Sequence, residues 1–142
     1  MHRVLAVALV ILVLAGCGGR SAGNGGGYAQ GLSSSLSGVG QPSSLDAASL
    51  ARLGDDYSRA AEQLAKLAPP AAVAEAHSRM VASMRAYAAA LTRASALTAD
   101  PAAFASEMAL AQTDARSWTA AFDEIRNRGY ATYSAVGTGG LS

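Results

Sequence analysis

The sequence predicts an all-α protein whose folded part, residues 43–129, is an antiparallel up-down-up three-helix bundle. Three observations predict it. Between Ser43 and Gly129 apolar residues recur at alternating spacings of three and four, which draws one stripe down a helix. Pro69-Pro70 and Asp100-Pro101 punctuate the stretch where one stripe ends and the next begins. No segment shows the period-two alternation of a half-buried strand.

The chain opens on Met1-His2-Arg3, a short basic segment, followed by a charge-free run of 12 apolar residues from Val4 to Ala15. A membrane-crossing helix needs about 20 such residues, and Gly18, Gly19 and Arg20 end this run early. The pattern is that of an export signal. Its last four residues, Leu14-Ala15-Gly16-Cys17, resemble a bacterial lipobox. The resemblance implies that residues 1–16 are a lipoprotein signal peptide cleaved before Cys17, and that the Cys17 thiol carries a diacylglyceryl group. The protein would then sit on the extracytoplasmic face of the cell membrane. Two acyl chains hold stably where one holds weakly, since each buried methylene contributes about 0.8 kcal/mol. Cys17 is the only cysteine, so the chain forms no internal disulfide.

Removing residues 1–16 leaves 126, enough for one modest domain. Arg3 leaves with them, and ten basic residues then face ten acidic ones. That balance supplies no basic face for nucleic acid and no polybasic patch for anionic lipid. The mean hydropathy of +0.20 owes much to the leader and to alanine. Residues 17–42 are expected to form the lipidated cysteine and a flexible tether. Gly18–Gln41 is rich in Gly and Ser, and its few large apolar residues (Tyr28, Leu32, Leu36, Val39) are read as having no steady period. As a free chain, its 24 residues span roughly 25–30 Å root-mean-square.

The first predicted helix starts after Pro42, with Ser43 as N-cap and Asp46 in the capping-box position. Its stripe is Leu50, Leu53, Tyr57, Ala60, Leu64 and Leu67, and Pro69-Pro70 ends it. Asp55/Arg59 and Glu62/Lys66 form i,i+4 acid-before-base pairs off the stripe. The second helix takes Pro70 in its first turn and runs to about Thr98. Its stripe is Val73, His77, Met80, Met84, Tyr87, Leu91 and Ala94, with Glu75/Arg79 paired outside it. The third helix begins at an Asp100 N-cap with Pro101 at its first position, and Gly129 is its C′ residue. Phe104, Met108, Ala111, Ala115, Trp118, Phe122 and Ile125 form its stripe, and Glu124/Arg128 pairs near its end. The second helix is net basic and the third net acidic, which favours their pairing. Residues 130–142 read as a loose tail.

Chemistry is sparse. His77 is the only histidine after the leader and shares its seam with Met80 and Met84. A haem or metal ligand there would need further donors. With no second histidine and no lipid-free thiol, His77 is read as a partly buried residue near the bundle end, hydrogen-bonded to a neighbour, with the methionines as packing. Asp55-Asp56 and Asp123-Glu124 are adjacent, so each pair diverges by about 100° around a helix and reads as solvated surface. No G-x-S-x-G elbow occurs, and no glycine run opens a helix after a strand. The expectation is therefore a non-enzyme with no metal and no cofactor.

The stretch Leu67-Ala68-Pro69-Pro70-Ala71-Ala72-Val73-Ala74-Glu75-Ala76-His77 resembles a pattern of small actinobacterial lipoproteins of uncharacterised role: leucine, two prolines, then an alanine-rich helix carrying a histidine. The usage of ten arginines to one lysine, with abundant alanine and glycine, agrees with a GC-rich genome. The resemblance implies a secreted, lipid-anchored helical domain and carries over no catalytic residue. The leading expectation is a module that binds an envelope protein or a second copy of itself. The alternative is a carrier of a small apolar ligand between the helices. His77, Met80, Met84 and Trp118 are the candidate ligand or partner contacts.

Overall fold

The computed structural model describes residues 20–42 and 44–131. The leader, Cys17, Ser43 and the tail from residue 132 lie outside the described residues. Within these the chain is all-helical: α1 (Arg20–Leu36), α2 (Ala47–Ala65), α3 (Ala74–Ser95) and α4 (Pro101–Asn127), with a 3₁₀ turn at Ala71–Val73 and no strand.

α1 stands where a flexible tether was expected. Tyr28, Leu32 and Leu36 are spaced by four, so they fall on one helix face. All three are buried and belong to the same apolar cluster as the other helices. Intrinsic propensity opposes this helix. Its 17 residues include five glycines, each costing about 1 kcal/mol relative to alanine. The burial of three large side chains overrides a composition that by itself favours disorder. A Cβ at Gly31 would lie 2.7 Å from Leu67 Cδ2, so the glycine lets α1 lie close to the chain leaving α2.

α2 starts later than the sequence suggested. Its N-cap is Asp46, whose carboxylate accepts the Ser49 N–H at 2.9 Å, and Ser44 donates its hydroxyl to the same carboxylate. A carboxylate with extended backbone at Asp46 takes the capping role assigned to Ser43, three residues on. The predicted stripe is buried except Leu67, which is partly so. Gly54 faces α3 at close range: a Cβ there would meet the Ala88 carbonyl oxygen at 3.0 Å and Thr92 Oγ1 at 2.7 Å.

After Pro69-Pro70 the chain makes the 3₁₀ turn before α3 begins at Ala74, four residues beyond the expected start. Val73 sits at φ −125°, ψ 7°, off helical geometry, with its side chain buried. α3 ends at Ser95 and not near Thr98. It packs against both α2 and α4.

α4 follows its predicted signals. Asp100 Oδ1 accepts the N–H groups of Ala102 and Ala103 at 3.2 and 3.1 Å, with Pro101 at the first position. At the far end Gly129 takes φ +81°, the left-handed conformation glycine reaches without strain. Its N–H bonds Arg126 O at 2.8 Å and the Tyr130 N–H bonds Ile125 O at 3.2 Å, which closes the last carbonyls. Tyr130 and Ala131, expected in a loose tail, are packed instead: Tyr130 is partly buried and Ala131 buried. Three side-chain links join α3 to α4: Arg79 to Glu124, Ser83 to Ser117 at 2.9 Å, and Arg93 to Glu107 at 3.0 Å.

Candidate functional site

The polar chemistry of the interior gathers where α1 meets the start of α3. His77 is buried, and its Nδ1 lies 2.9 Å from the Tyr28 hydroxyl. The two rings meet edge-on with centroids 5.5 Å apart, and Tyr130 approaches Tyr28 from its other side at 6.4 Å. His77 Nε2 has no hydrogen-bond partner. Whichever nitrogen carries the proton, one ring position is left unpaired in the interior, at a cost of about 1–3 kcal/mol. Burial pushes the imidazole below its ordinary range, and interaction with the Leu64 backbone, short of a formed hydrogen bond to Nε2, opposes this. Burial also drives the Tyr28 hydroxyl up to about 12. At neutral pH both groups are uncharged.

Around this pair the surface is tied by ion pairs. Glu124 receives Arg79 from α3 and Arg128 from its own helix, the latter at 3.2 Å. Arg128 also donates to the Ala72 carbonyl at 2.6 Å, which holds the 3₁₀ turn against the end of α4. These groups are substantially exposed, so each pair contributes about 0–1 kcal/mol.

Met80 and Met84 are fully buried on α3, and Trp118 is buried on α4. Trp118 meets Tyr57 of α2 at a centroid distance of 6.0 Å, and Tyr57 meets Tyr87 edge-on at 4.6 Å. The Trp118 indole N–H is buried without an acceptor. All four candidate contacts are thus interior groups, and only His77 shares a hydrogen bond with another helix. Its partner, Tyr28, escaped the sequence reading because Gly18–Gln41 was assigned to a tether. The i, i+4, i+8 spacing of Tyr28, Leu32 and Leu36 is the signal that identifies it.

The other polar groups near these elements are engaged locally. Asp56 pairs with Arg59 and Asp123 with Arg126. Ser35 donates to Gly31 O at 2.8 Å, back along its own helix. Ser44, Asp46 and Ser49 form the α2 cap, and their hydrogen bonds pull the Asp46 carboxyl down to about 2. Among the described residues no group of three or more His, Cys, Asp or Glu side chains converges as a metal site, and no helix is long and apolar enough to cross a membrane. No family model matches the chain, and no curated protein or solved structure is significantly similar to it.

Proposed function

We propose that the chain is a lipid-anchored, extracytoplasmic helical module that binds an envelope protein or a second copy of itself, without catalytic activity. The observation that carries this reading is Leu14-Ala15-Gly16-Cys17 at the end of a 12-residue apolar run. In this reading the cleaved chain begins at Cys17, and only Gly18 and Gly19 separate the lipid-bearing residue from α1. The folded part is then held next to the bilayer, not lifted from it on a 24-residue tether.

The same reading makes α2, α3 and α4 an antiparallel up-down-up core, with α1 as a fourth helix laid against it. The three α3–α4 links support this, because residue numbers rise along α3 as they fall along α4. Leu110 on α4 and Leu45 before α2 are the exposed large hydrophobic side chains among the described residues, and they are the first places to look for a partner.

Metabolic labelling with an alkyne-tagged fatty acid in a bacterial host tests the anchor. The expected result is label on the wild-type chain and none on Cys17→Ser, which should leave the membrane fraction. Label-free protein in the soluble fraction would overturn the reading. Native mass spectrometry of the labelled protein then separates a dimer or retained protein from a bound small apolar ligand.

A further inference from the structure

We propose that α1 is a proton-released latch: the Tyr28–His77 contact holds it against the core at neutral pH, and protonation of His77 in mildly acidic surroundings lets it go. The latch does not depend on lipid at Cys17. If the anchor is present, release of α1 lengthens the connection between bilayer and core.

Three features of the structure carry this. First, α1 is helical because it is docked. An isolated helix of about 12–15 residues is already marginal in water even when alanine-rich, and α1 has five glycines in its 17 residues. Second, its grip is narrow. Among the described side chains of α1, residues 25–36, Tyr28, Leu32 and Leu36 are the buried ones, against eight buried residues on α2 and nine on α3. Third, the polar contact recorded between α1 and the core involves a ring that can gain a charge in the physiological range.

No opposite charge faces His77, and burial outweighs what the Leu64 backbone contributes in favour of the charged ring. Residues 25–36 of α1 contain no charged side chain. From α2 the ring meets the Leu64 backbone, while Glu62 and Lys66 stand exposed. On α3 itself Glu75 and Arg79 are exposed. At the end of α4 Asp123 is held by Arg126, Glu124 by Arg79 and Arg128, and Tyr130 packs on Tyr28. An imidazolium would be buried with its Nε2–H unpaired. Undocking of α1 exposes the ring to water, where it titrates near its ordinary value of about 6.5.

The sign follows from linkage. The docked state lowers the affinity of His77 for a proton, so docking is strongest above about pH 6.5 and weakens as pH falls below it. The ratio of docked to undocked α1 then drops by up to about tenfold per pH unit, until the docked ring itself titrates.

Hydrogen exchange on the full chain in detergent micelles, at pH 7.5 and 5.5 with correction for intrinsic rates, is the test. Protection across residues 28–36 is expected to fall several-fold at the lower pH while α3 and α4 keep theirs. In His77→Gln, which stays neutral and can still hydrogen-bond Tyr28, α1 protection should not change with pH. Unchanged wild-type protection would overturn the latch. So would an equal loss in His77→Gln, or a parallel loss in all four helices. Should His77→Gln not fold, NMR titration of the wild-type ring decides. A midpoint coincident with α1 release supports the latch, and one that is not coincident overturns it.

Discussion

α1 and α4 both bury a stripe of large side chains, yet they are helices for opposite reasons. α4 carries its own instructions: Asp100 caps it, Pro101 starts it, Gly129 stops it, and alanines fill the positions between. α1 has glycines where α4 has alanines, and no charged side chain from residue 25 onward. Tyr28, Leu32 and Leu36 are as deeply buried as most of the α4 stripe. Burial alone therefore does not distinguish a helix that defines the core from one that rides on it. The difference lies in what happens to the backbone when the contacts are removed.

The largest expected effect tests that directly. Phe122 is fully buried on α4 and Leu32 nearly so on α1. Phe122→Ala should destabilise the whole domain by about 3–5 kcal/mol, and Leu32→Ala removes a contact worth about 2–5 kcal/mol by the same rule. The two losses are expected to fall in different places. Denaturant unfolding followed by the Trp118 fluorescence should shift strongly for Phe122→Ala and little for Leu32→Ala. Hydrogen exchange in the Leu32 variant should show α1 unprotected on an otherwise intact core. Equal shifts of the Trp118 transition would make α1 part of one cooperative unit.

Inside the core the sharpest packing constraint is at Gly54. The Ala88 carbonyl cannot move away from an added side chain without moving α3. Gly54→Val should therefore cost about 1–3 kcal/mol through overpacking, although valine is the better helix former. Thermal unfolding reads this, and an unchanged melting temperature would mean that α2 and α3 separate there more easily than their spacing implies.

How much of this was legible in the sequence follows the same divide. The stripes of α2, α3 and α4 were readable because apolar period and local signals agree there. Asp100-Pro101 and Gly129 marked their helix ends as placed, since cap chemistry is a property of neighbours in sequence. The start of α2 moved from Ser43 to Asp46 because both residue types cap helices, and it is the Asp46 carboxylate that receives the Ser49 N–H and the Ser44 hydroxyl. α1 was misread because glycine and serine content argues for disorder, while the spacing of Tyr28, Leu32 and Leu36 argues for a helix only if a core exists to receive it. The site inherited that error: His77 was placed on the seam, but its partner belonged to the misread segment. Ion pairs show a similar limit. Glu124/Arg128 forms as the i,i+4 spacing suggests, whereas Arg79 reaches across to Glu124 on α4, and Arg59 takes Asp56. Long side chains select among several nearby carboxylates, and sequence spacing weighs only those on the same helix.

A smaller effect sharpens the contrast from the α1 side. A Cβ at Gly26 or Gly27 meets nothing within 4 Å. Replacing each by alanine should therefore stabilise α1 by up to about 1 kcal/mol through helix propensity alone. The double variant should raise hydrogen-exchange protection in α1 and leave α2–α4 unchanged. The same two substitutions would lower the pH at which α1 is released, because the docked state then tolerates more of the cost of the charged ring.

The smallest expected effect lies between α3 and α4. Arg93 and Glu107 meet at 3.0 Å, with the arginine about half exposed and the glutamate less so. A double-mutant cycle on Arg93→Ala and Glu107→Ala should return a coupling of about 0.2–1 kcal/mol at low salt, and less at high salt. A pair of this size does not hold α4 in place. It favours one arrangement, since basic side chains of α3 meet acidic ones of α4 in the observed register. The cycle therefore separates two roles that the contact geometry leaves together. Coupling of a few tenths of a kcal/mol, with α4 still folded in both single variants, assigns the pair to register. A coupling of several kcal/mol would move part of the stability of the core from its apolar stripes to its charged rim.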